Sequence, residues 1–275
     1  MKKIAVIVLV ALLNLLLFVG CAQEEQSEGR YILVEEFYEY FDSTTHRTYT
    51  FDSDCKMLQF QFEEVGSGSS YTYSEVYSYD ADGNPEEVLL YVDGEVLQRY
   101  LCECNENGQV ERMTIYNGDG EPVNLFAYAY DENGYKIENT TYPNYPDLES
   151  IKQTCWVYDD AGNLLQMENS DNGRIYAYWE YTYDEADGLK EILRWTENDR
   201  KEYWKAEVKC DNNGHPMWMI WYNEDGEETG ERYEFSYDTN GNKVKEWYYE
   251  DERLVYTATF RYEKMESSAR GIFGE

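Results

Sequence analysis

The sequence contains only two histidines, His46 and His215, so few histidine-dependent catalytic sites could be built from it. A Ser-His-Asp or Cys-His arrangement would have to use one of them. His46 lies near a predicted strand start and His215 follows a predicted turn glycine, and both positions are typical of surface residues. The sequence also contains no C-x-x-C pair and no histidine-rich tract. We therefore predict no catalytic residue, no metal site and no cofactor.

Carboxylates are so abundant that their spacing says little about catalysis. The 275 residues include 56 Asp and Glu against 23 Lys and Arg, for a formal net charge of −33. Paired carboxylates could hydrolyse glycosides, but in so acidic a chain many pairs arise by chance. Acid-rich stretches such as 80–84 and 223–228 lack the ligand order of a calcium loop, and turn chemistry explains them. Because this charge repels phosphate backbones, we predict no nucleic-acid partner. The protein is expected to be non-enzymatic, with a carboxylate-dependent hydrolase as the weakest alternative.

The first cysteine offers a different chemistry, that of acylation. Lys2 and Lys3 precede an almost wholly apolar run, 4–17, and a polar stretch follows Cys21 at once. This pattern is typical of an export signal. The Gly20-Cys21 junction resembles the lipobox of bacterial lipoproteins, in which the cysteine is acylated and becomes the mature N-terminus.

That resemblance implies a signal peptide at 1–20, an acidic tether at 21–30 and contact with the lipid bilayer through acylated Cys21. It also implies an exported protein anchored to the outer face of the cell membrane, or to the outer membrane. Simple secretion and a retained membrane helix over residues 4–20 are the alternatives.

Five further cysteines could pack as thiols or form disulfides. They are Cys55, Cys102, Cys104, Cys155 and Cys210. Cys104 and Cys210 replace the aromatic residue before a predicted turn, and Cys102 shares their face, which predicts thiols at inward positions. Disulfides are the alternative outside the cell. An odd number of cysteines would leave at least one unpaired in a monomer.

An aromatic-Asp-x-x-Gly-Asn motif recurs along the body of the chain. Its best copies are 79–84, 158–163 and 237–242, weaker copies begin at 104, 130, 183 and 210, and in the earliest, 51–55, Cys55 replaces the glycine. Steps of 25 to 28 residues separate the glycine-type positions, a period typical of repeat architectures. The predicted turn-forming residues are Asp80, Gly83, Asp131, Gly134, Asp159, Gly162, Asp184, Gly188, Asp211, Gly214, Asp238 and Gly241.

Each motif predicts the tip of a β-hairpin. The Asp side chain can bond the backbone two residues further on and open a type I turn, and the glycine supplies the left-handed residue that closes the hairpin as a bulge. Alternation before the Asp gives one aromatic and one small or polar strand face. The third, fifth and seventh residues after the glycine-type position continue the inward track, as at Leu58, Phe60 and Phe62 or Met217, Met219 and Trp221.

Repetition of this hairpin predicts the fold. A second turn, such as Asp93-Gly94, lies between successive motifs, so each of the eight repeats supplies two antiparallel strands. We predict an all-β antiparallel meander of tandem β-hairpin repeats with about sixteen strands. A sheet this wide should curl, split into layers or coil, and these alternatives stay open. The repeat domain is placed at 31–264, followed by a loose C-terminal tail at 265–275.

The motif resembles the YD (Rhs-type) repeats of bacterial cell-surface and toxin-delivery proteins over roughly residues 45–262. The copies at Tyr79-Asp80, Tyr158-Asp159 and Tyr237-Asp238 carry the resemblance most clearly. In that family the repeats form antiparallel hairpins that build curled or spiral sheets or shells. The resemblance therefore implies an assembly or binding surface rather than a catalytic centre.

Three apolar residues fall on the polar strand face and form a candidate ligand platform. Trp218 and Ile220 lie off the inward track after Gly214, and Trp247 lies off it after Gly241. With one strand between them the two tryptophans would be roughly 10 Å apart, a spacing that suits stacking on sugar rings or docking of a protein. The alternatives are that the sheet folds over this face or that the register slips.

We therefore predict a cell-surface lipoprotein that presents its β-repeat surface to a glycan, a cell-wall polymer or a protein. A structural or assembly subunit of an envelope complex is the alternative.

Overall fold

The computed structural model describes residues 30–66, 69–183, 189–196 and 202–265. The strands are β1 (Arg30–Tyr40), β2 (Ser43–Phe51), β3 (Met57–Gly66), β4 (Ser69–Tyr79), β5 (Pro85–Val92), β6 (Glu95–Cys104), β7 (Val110–Asn117), β8 (Pro122–Tyr130), β9 (Lys136–Tyr142), β10 (Lys152–Tyr158), β11 (Leu164–Asp171), β12 (Arg174–Tyr183), β13 (Leu189–Thr196), β14 (Glu202–Cys210), β15 (Pro216–Tyr222), β16 (Glu228–Tyr237), β17 (Lys243–Glu250) and β18 (Arg253–Met265). Within the described ranges, no helix is long and apolar enough to cross a membrane.

The strands form one antiparallel meander that closes on itself. Each strand pairs with the next in sequence, and β18 pairs back to β1, with Arg30 opposite Met265 and Tyr40 opposite Tyr256. The predicted all-β antiparallel meander is confirmed, but the sheet is a closed barrel rather than a spiral. The described residues form 18 strands, where about sixteen were expected. The motifs account for β2 to β17, whereas β1 and β18 flank no motif and were therefore missed by a count based on turns.

The motif tips share one hydrogen-bond pattern. At the tip between β4 and β5, the backbone N–H groups of Asp82 and Asn84 donate to Asp80 Oδ1 at 3.0 and 2.8 Å. Gly83 takes the left-handed conformation with φ of +87°, and a Cβ there would collide with the side chain of Lys56 from the preceding tip. The aspartates of five other tips accept the same pair of bonds: Asp52, Asp131, Asp159, Asp211 and Asp238. The predicted tip at Asp184 and Gly188 lies outside the described residues.

In four of the described repeats, the motif tyrosine forms a hydrogen bond to the preceding repeat. Tyr79 Oη donates to the carbonyl of Met57 at 2.8 Å, and Tyr237 Oη donates to that of Pro216 at 2.9 Å. Tyr130 and Tyr183 make equivalent bonds to Val110 and Leu164. The aromatic residue of the motif thus has a hydrogen-bonding role in addition to packing.

One face of the sheet is aromatic and holds the core. Its buried cluster on β2 to β8 consists of Tyr49, Met57, Phe60, Phe62, Tyr73, Tyr77, Val88, Leu90, Tyr100, Met113, Ile115 and Phe126. Phe60, Leu90, Met113 and Ile115 are 0% exposed. The described strands form a single closed layer, so side chains buried to this degree must lie on its inside. We call this side the enclosed face and the opposite side, which is rich in Thr, Ser, Gln and Glu, the outward face.

The predicted inward track is wrong at its first position. Leu58 and Met217 are 42% and 38% exposed, whereas Met57, one residue earlier, is buried. A register shift follows each described motif turn, for example between Thr50 and Phe51 opposite Met57. This bulge adds one residue and displaces the alternation, which resumes correctly at the fifth and seventh positions.

The described residues include five cysteines, all half-buried thiols with no disulfide between them: Cys55, Cys102, Cys104, Cys155 and Cys210. Cys102 and Cys104 lie on the enclosed face of β6, and burial raises the pKa of the Cys102 thiol to about 12. Cys104 occupies the place of a motif tyrosine, and its Sγ lies 3.6 Å from the carbonyl oxygen of Pro85, the position that motif tyrosines bond elsewhere. These thiols therefore pack as side chains of the sheet, although none is fully buried.

Candidate functional site

The outward face of β15 to β17 brings the off-track tryptophans into one row. Trp218 on β15 pairs with Glu234 on β16, and Glu234 pairs with Trp247 on β17. Directly paired residues point to the same face, and two strand spacings separate the tryptophan backbones by about 10 Å. All three side chains are half-buried, so neither tryptophan is covered by a second layer.

The adjacent row supplies further aromatic and charged groups. Ile220, Arg232 and Tyr249 pair across the same three strands. The Arg232 guanidinium carbon lies 4.4 Å from the Tyr249 ring centroid, and its Nη2 lies 3.1 Å from Glu234 Oε1. Arg232 Nε is buried and has no hydrogen-bond partner among the described residues. The outward platform, as we name it, comprises Trp218, Ile220, Arg232, Glu234, Trp247 and Tyr249. It offers aromatic surface beside one unpaired donor.

Beyond the platform, the outward face crosses the seam where β18 meets β1. A groove of about 370 Å³ lies there between Glu35, Phe37, Thr259 and Arg261. Glu35 accepts a hydrogen bond from Arg261 Nε at 2.6 Å and lies 2.7 Å from His46 Nε2. Arg261, and after it His46, lower the pKa of Glu35. This charged contact therefore joins β18, β1 and β2 across the seam.

A second groove, of about 440 Å³, follows on β2 to β5. Its lining includes Thr48, Gln61, Glu63, Thr72, Ser74 and Tyr91. Thr48, Gln61, Ser74 and Tyr91 lie in one row that begins at Glu35. Hydroxyl and amide groups thus form the floor, with one aromatic wall. From β15 to β5 the outward face spans eight strand steps through the seam, or roughly 38 Å.

The carboxylates near these grooves are poorly placed for acid catalysis. Glu63 and Asp93 of the β2 to β5 groove are both exposed, whereas a glycosidase acid is normally held in a desolvated setting. In the seam groove, the hydrogen bond from Arg261 lowers the pKa of Glu35, which is the opposite of what a general acid needs. The deeply buried Glu75 belongs to the enclosed face and lines neither groove. Among the described residues, no group of three or more His, Cys, Asp or Glu is placed to hold a metal ion.

Sequence reasoning found part of this site. Trp218, Ile220 and Trp247 lie together as the spacing suggested, and Cys21 lies outside the described residues. Arg232, Tyr249 and the two grooves were missed. The alternation of side chains along β16 and β17 places Arg232 and Tyr249 on the same face as the two tryptophans, and this could have been predicted from the sequence. Which residues they lie opposite on the neighbouring strands depends on the bulges, so it could not be predicted from one strand alone.

Comparison with known proteins gives only distant structural similarity. No protein-family model matches the chain, and no curated protein matches its sequence. A porin-like protein from Bacteroides uniformis is 10% identical with a TM-score of 0.45, over 87% of this chain and 99% of that one. A porin-like protein from Bacteroides vulgatus is 10% identical with a TM-score of 0.35, over 84% and 98%. The Photorhabdus luminescens Tc holotoxin pore is 10% identical with a TM-score of 0.33, over 82% of this chain and 16% of that one.

Proposed function

We propose that this protein is a non-enzymatic surface protein that binds an extended glycan or cell-wall polymer along its outward face. The observation that carries the proposal is the register of Trp218, Glu234 and Trp247, which sets two indoles in one row with a carboxylate between them. Stacked aromatic faces with hydrogen-bonding groups beside them suit sugar rings, which present both apolar faces and hydroxyls.

The length of the polar track favours a polymer over a small molecule. The platform, the seam groove and the β2 to β5 groove follow one another around the outward face. The β2 to β5 groove is lined mainly by hydroxyl, amide and charged groups. The seam groove combines aromatic rings with polar groups, which are Phe37, Phe260, Glu35, Thr259 and Arg261. A chain of hydroxyl-bearing rings therefore fits this surface better than a folded protein does.

The test compares Trp218→Ala/Trp247→Ala with the unaltered chain on an array of neutral and cell-wall polysaccharides. We expect binding to weaken by about 30- to 100-fold, since each lost stacking contact is worth roughly 1 to 1.4 kcal/mol. The matched control is Tyr176→Ala on β12, which removes a 45% exposed aromatic ring outside the platform. Equal binding by the double variant, or no polysaccharide binding by the unaltered chain, would reject the proposal and favour an assembly subunit.

We further propose that the protein is a lipoprotein held at the outer face of the membrane by acylated Cys21, and that its hairpins are YD-type repeats. The leader and the Gly20-Cys21 junction support the anchor, and the recurring Asp and Tyr bonds support the repeat. Mass spectrometry of the N-terminal peptide should show the acyl groups. Cys21→Ser should release the protein from the membrane fraction, and a chain that stays bound without Cys21 would refute the anchor.

A further inference from the structure

The enclosed face is packed unevenly around the barrel. On β2 to β8 its large side chains are buried, with Phe60 and Leu90 at 0% exposure. On β10 to β12 the equivalent side chains, Trp156, Met167 and Trp179, are only half-buried. Solvent therefore reaches an aromatic wall inside the barrel on this side.

A second pair of tryptophans lies on that wall with the spacing of the outward pair. Trp156 on β10 pairs with Met167 on β11, and Met167 pairs with Trp179 on β12. The two backbones are thus about 10 Å apart, with the flexible Met167 side chain between them. The Arg194 guanidinium carbon lies 5.6 Å from the Trp179 ring centroid and flanks the wall on β13.

The next row contains polar groups whose bonding is incomplete. Asn139, Thr154 and Asn169 pair across β9, β10 and β11, and Ala177 continues the row on β12. The Oδ1 atoms of Asn139 and Asn169 are buried and have no hydrogen-bond partner among the described residues. Buried amide oxygens without partners are costly, so these two positions favour a ligand that donates hydrogen bonds.

We propose that this inner wall, formed by Trp156, Met167, Trp179, Asn139, Thr154 and Asn169, is a binding site for a short uncharged oligosaccharide. The two indoles stack on sugar rings about 10 Å apart, and the sugar hydroxyls donate to the two amide oxygens. A purely apolar ligand would leave those oxygens unpaired and is disfavoured. The site is separate from the outward platform, because the two sets of residues point to opposite faces of the sheet.

The test titrates the full chain with cellohexaose, maltohexaose and chitohexaose, followed by calorimetry and indole fluorescence. At least one hexasaccharide should bind with a Kd below about 1 mM. To exclude binding at the outward pair, the same titrations are repeated in the Trp218→Ala/Trp247→Ala background. There, adding Trp156→Ala/Trp179→Ala should weaken hexasaccharide binding by about tenfold or more, whereas adding Tyr176→Ala should leave it unchanged. Equal binding after removal of the inner pair, or no hexasaccharide binding in this background, overturns the inner site. The proposed function is tested separately, by the loss of polysaccharide binding in Trp218→Ala/Trp247→Ala. The inner site can therefore fail while the proposed function stands, and the reverse.

Because removal of two indoles can disturb the sheet, Asn139→Ala/Asn169→Ala provides a second variant. It deletes the unpaired oxygens, so the midpoint of thermal unfolding should stay unchanged or rise while hexasaccharide binding falls by about tenfold. Lower thermal stability with unchanged binding would show that both amides serve the fold, and would reject the proposal.

Discussion

At the scale of single residues, Glu75 is an ionisable side chain buried in the apolar core. It is 1% exposed and pairs with Phe60 and Leu90, both 0% exposed. One carboxylate oxygen accepts a hydrogen bond from Tyr77, and the other has no partner. Burial raises its pKa to about 7, with the Tyr77 bond opposing the shift. Folding therefore favours the protonated form of the Glu75 carboxyl more than the unfolded chain does.

Stability should consequently depend on pH through Glu75. Because the folded pKa exceeds the unfolded one, its favourable contribution is complete below about pH 4.5 and is lost as the pH rises through 7. Glu75→Gln mimics the neutral acid, so it should match the unaltered chain near pH 4.5 and exceed it at pH 8 by up to the order of 3 kcal/mol. Urea unfolding at both pH values measures this, with Glu86→Gln, an exposed glutamate on the same hairpin, as the control. A parallel pH dependence in Glu75→Gln would contradict the assignment.

At the scale of the hairpin, the motif predicts reversal but not the facing of every side chain. Asp80 and Gly83 form the tip that their types suggested, because Asx turns and left-handed glycine are local properties. Leu58 was placed inward and points outward, since the bulge depends on pairing with the neighbouring strand. The alternation of side chains along each strand is enough to place Trp218 and Trp247 on one face. The position of Arg232 next to Ile220 and Tyr249 depends on the register between strands, which the sequence alone does not determine.

The tyrosine bond between repeats should contribute measurably to stability. Tyr79→Phe removes the bond to the Met57 carbonyl and should cost about 1 kcal/mol in free energy of unfolding. Tyr158 is the matched control, because its ring stacks on Tyr135 at 5.1 Å and no bond from its hydroxyl to the preceding repeat occurs among the described residues. Tyr158→Phe should therefore change the urea midpoint less than Tyr79→Phe does. Equal losses in the two variants would show that the bond to the preceding repeat does not account for the effect of Tyr79→Phe.

At the scale of the whole molecule, the closure of the sheet could not be predicted from the number of turn motifs. Two strands without a motif, β1 and β18, pair with each other and remove the free edges that a meander of sixteen strands would expose. The ends of the described chain therefore meet, with Arg30 directly opposite Met265. Their Cα atoms are about 5 Å apart in such a pair.

This adjacency predicts that the barrel tolerates circular permutation. Joining residue 265 to residue 30 through about four Gly and Ser residues, and opening the chain in the 143–151 connection, keeps every strand pairing intact. That connection exposes Leu148 to 53% and lies between β9 and β10. The permutant should keep the far-UV spectrum and cooperative urea unfolding of the linear 30–265 chain. A permutant opened inside β7, between the buried Met113 and Ile115, should lose both. If the sheet were an open spiral, the joined ends would strain it and the first permutant would unfold as well, so this pair of chains separates a closed sheet from an open one.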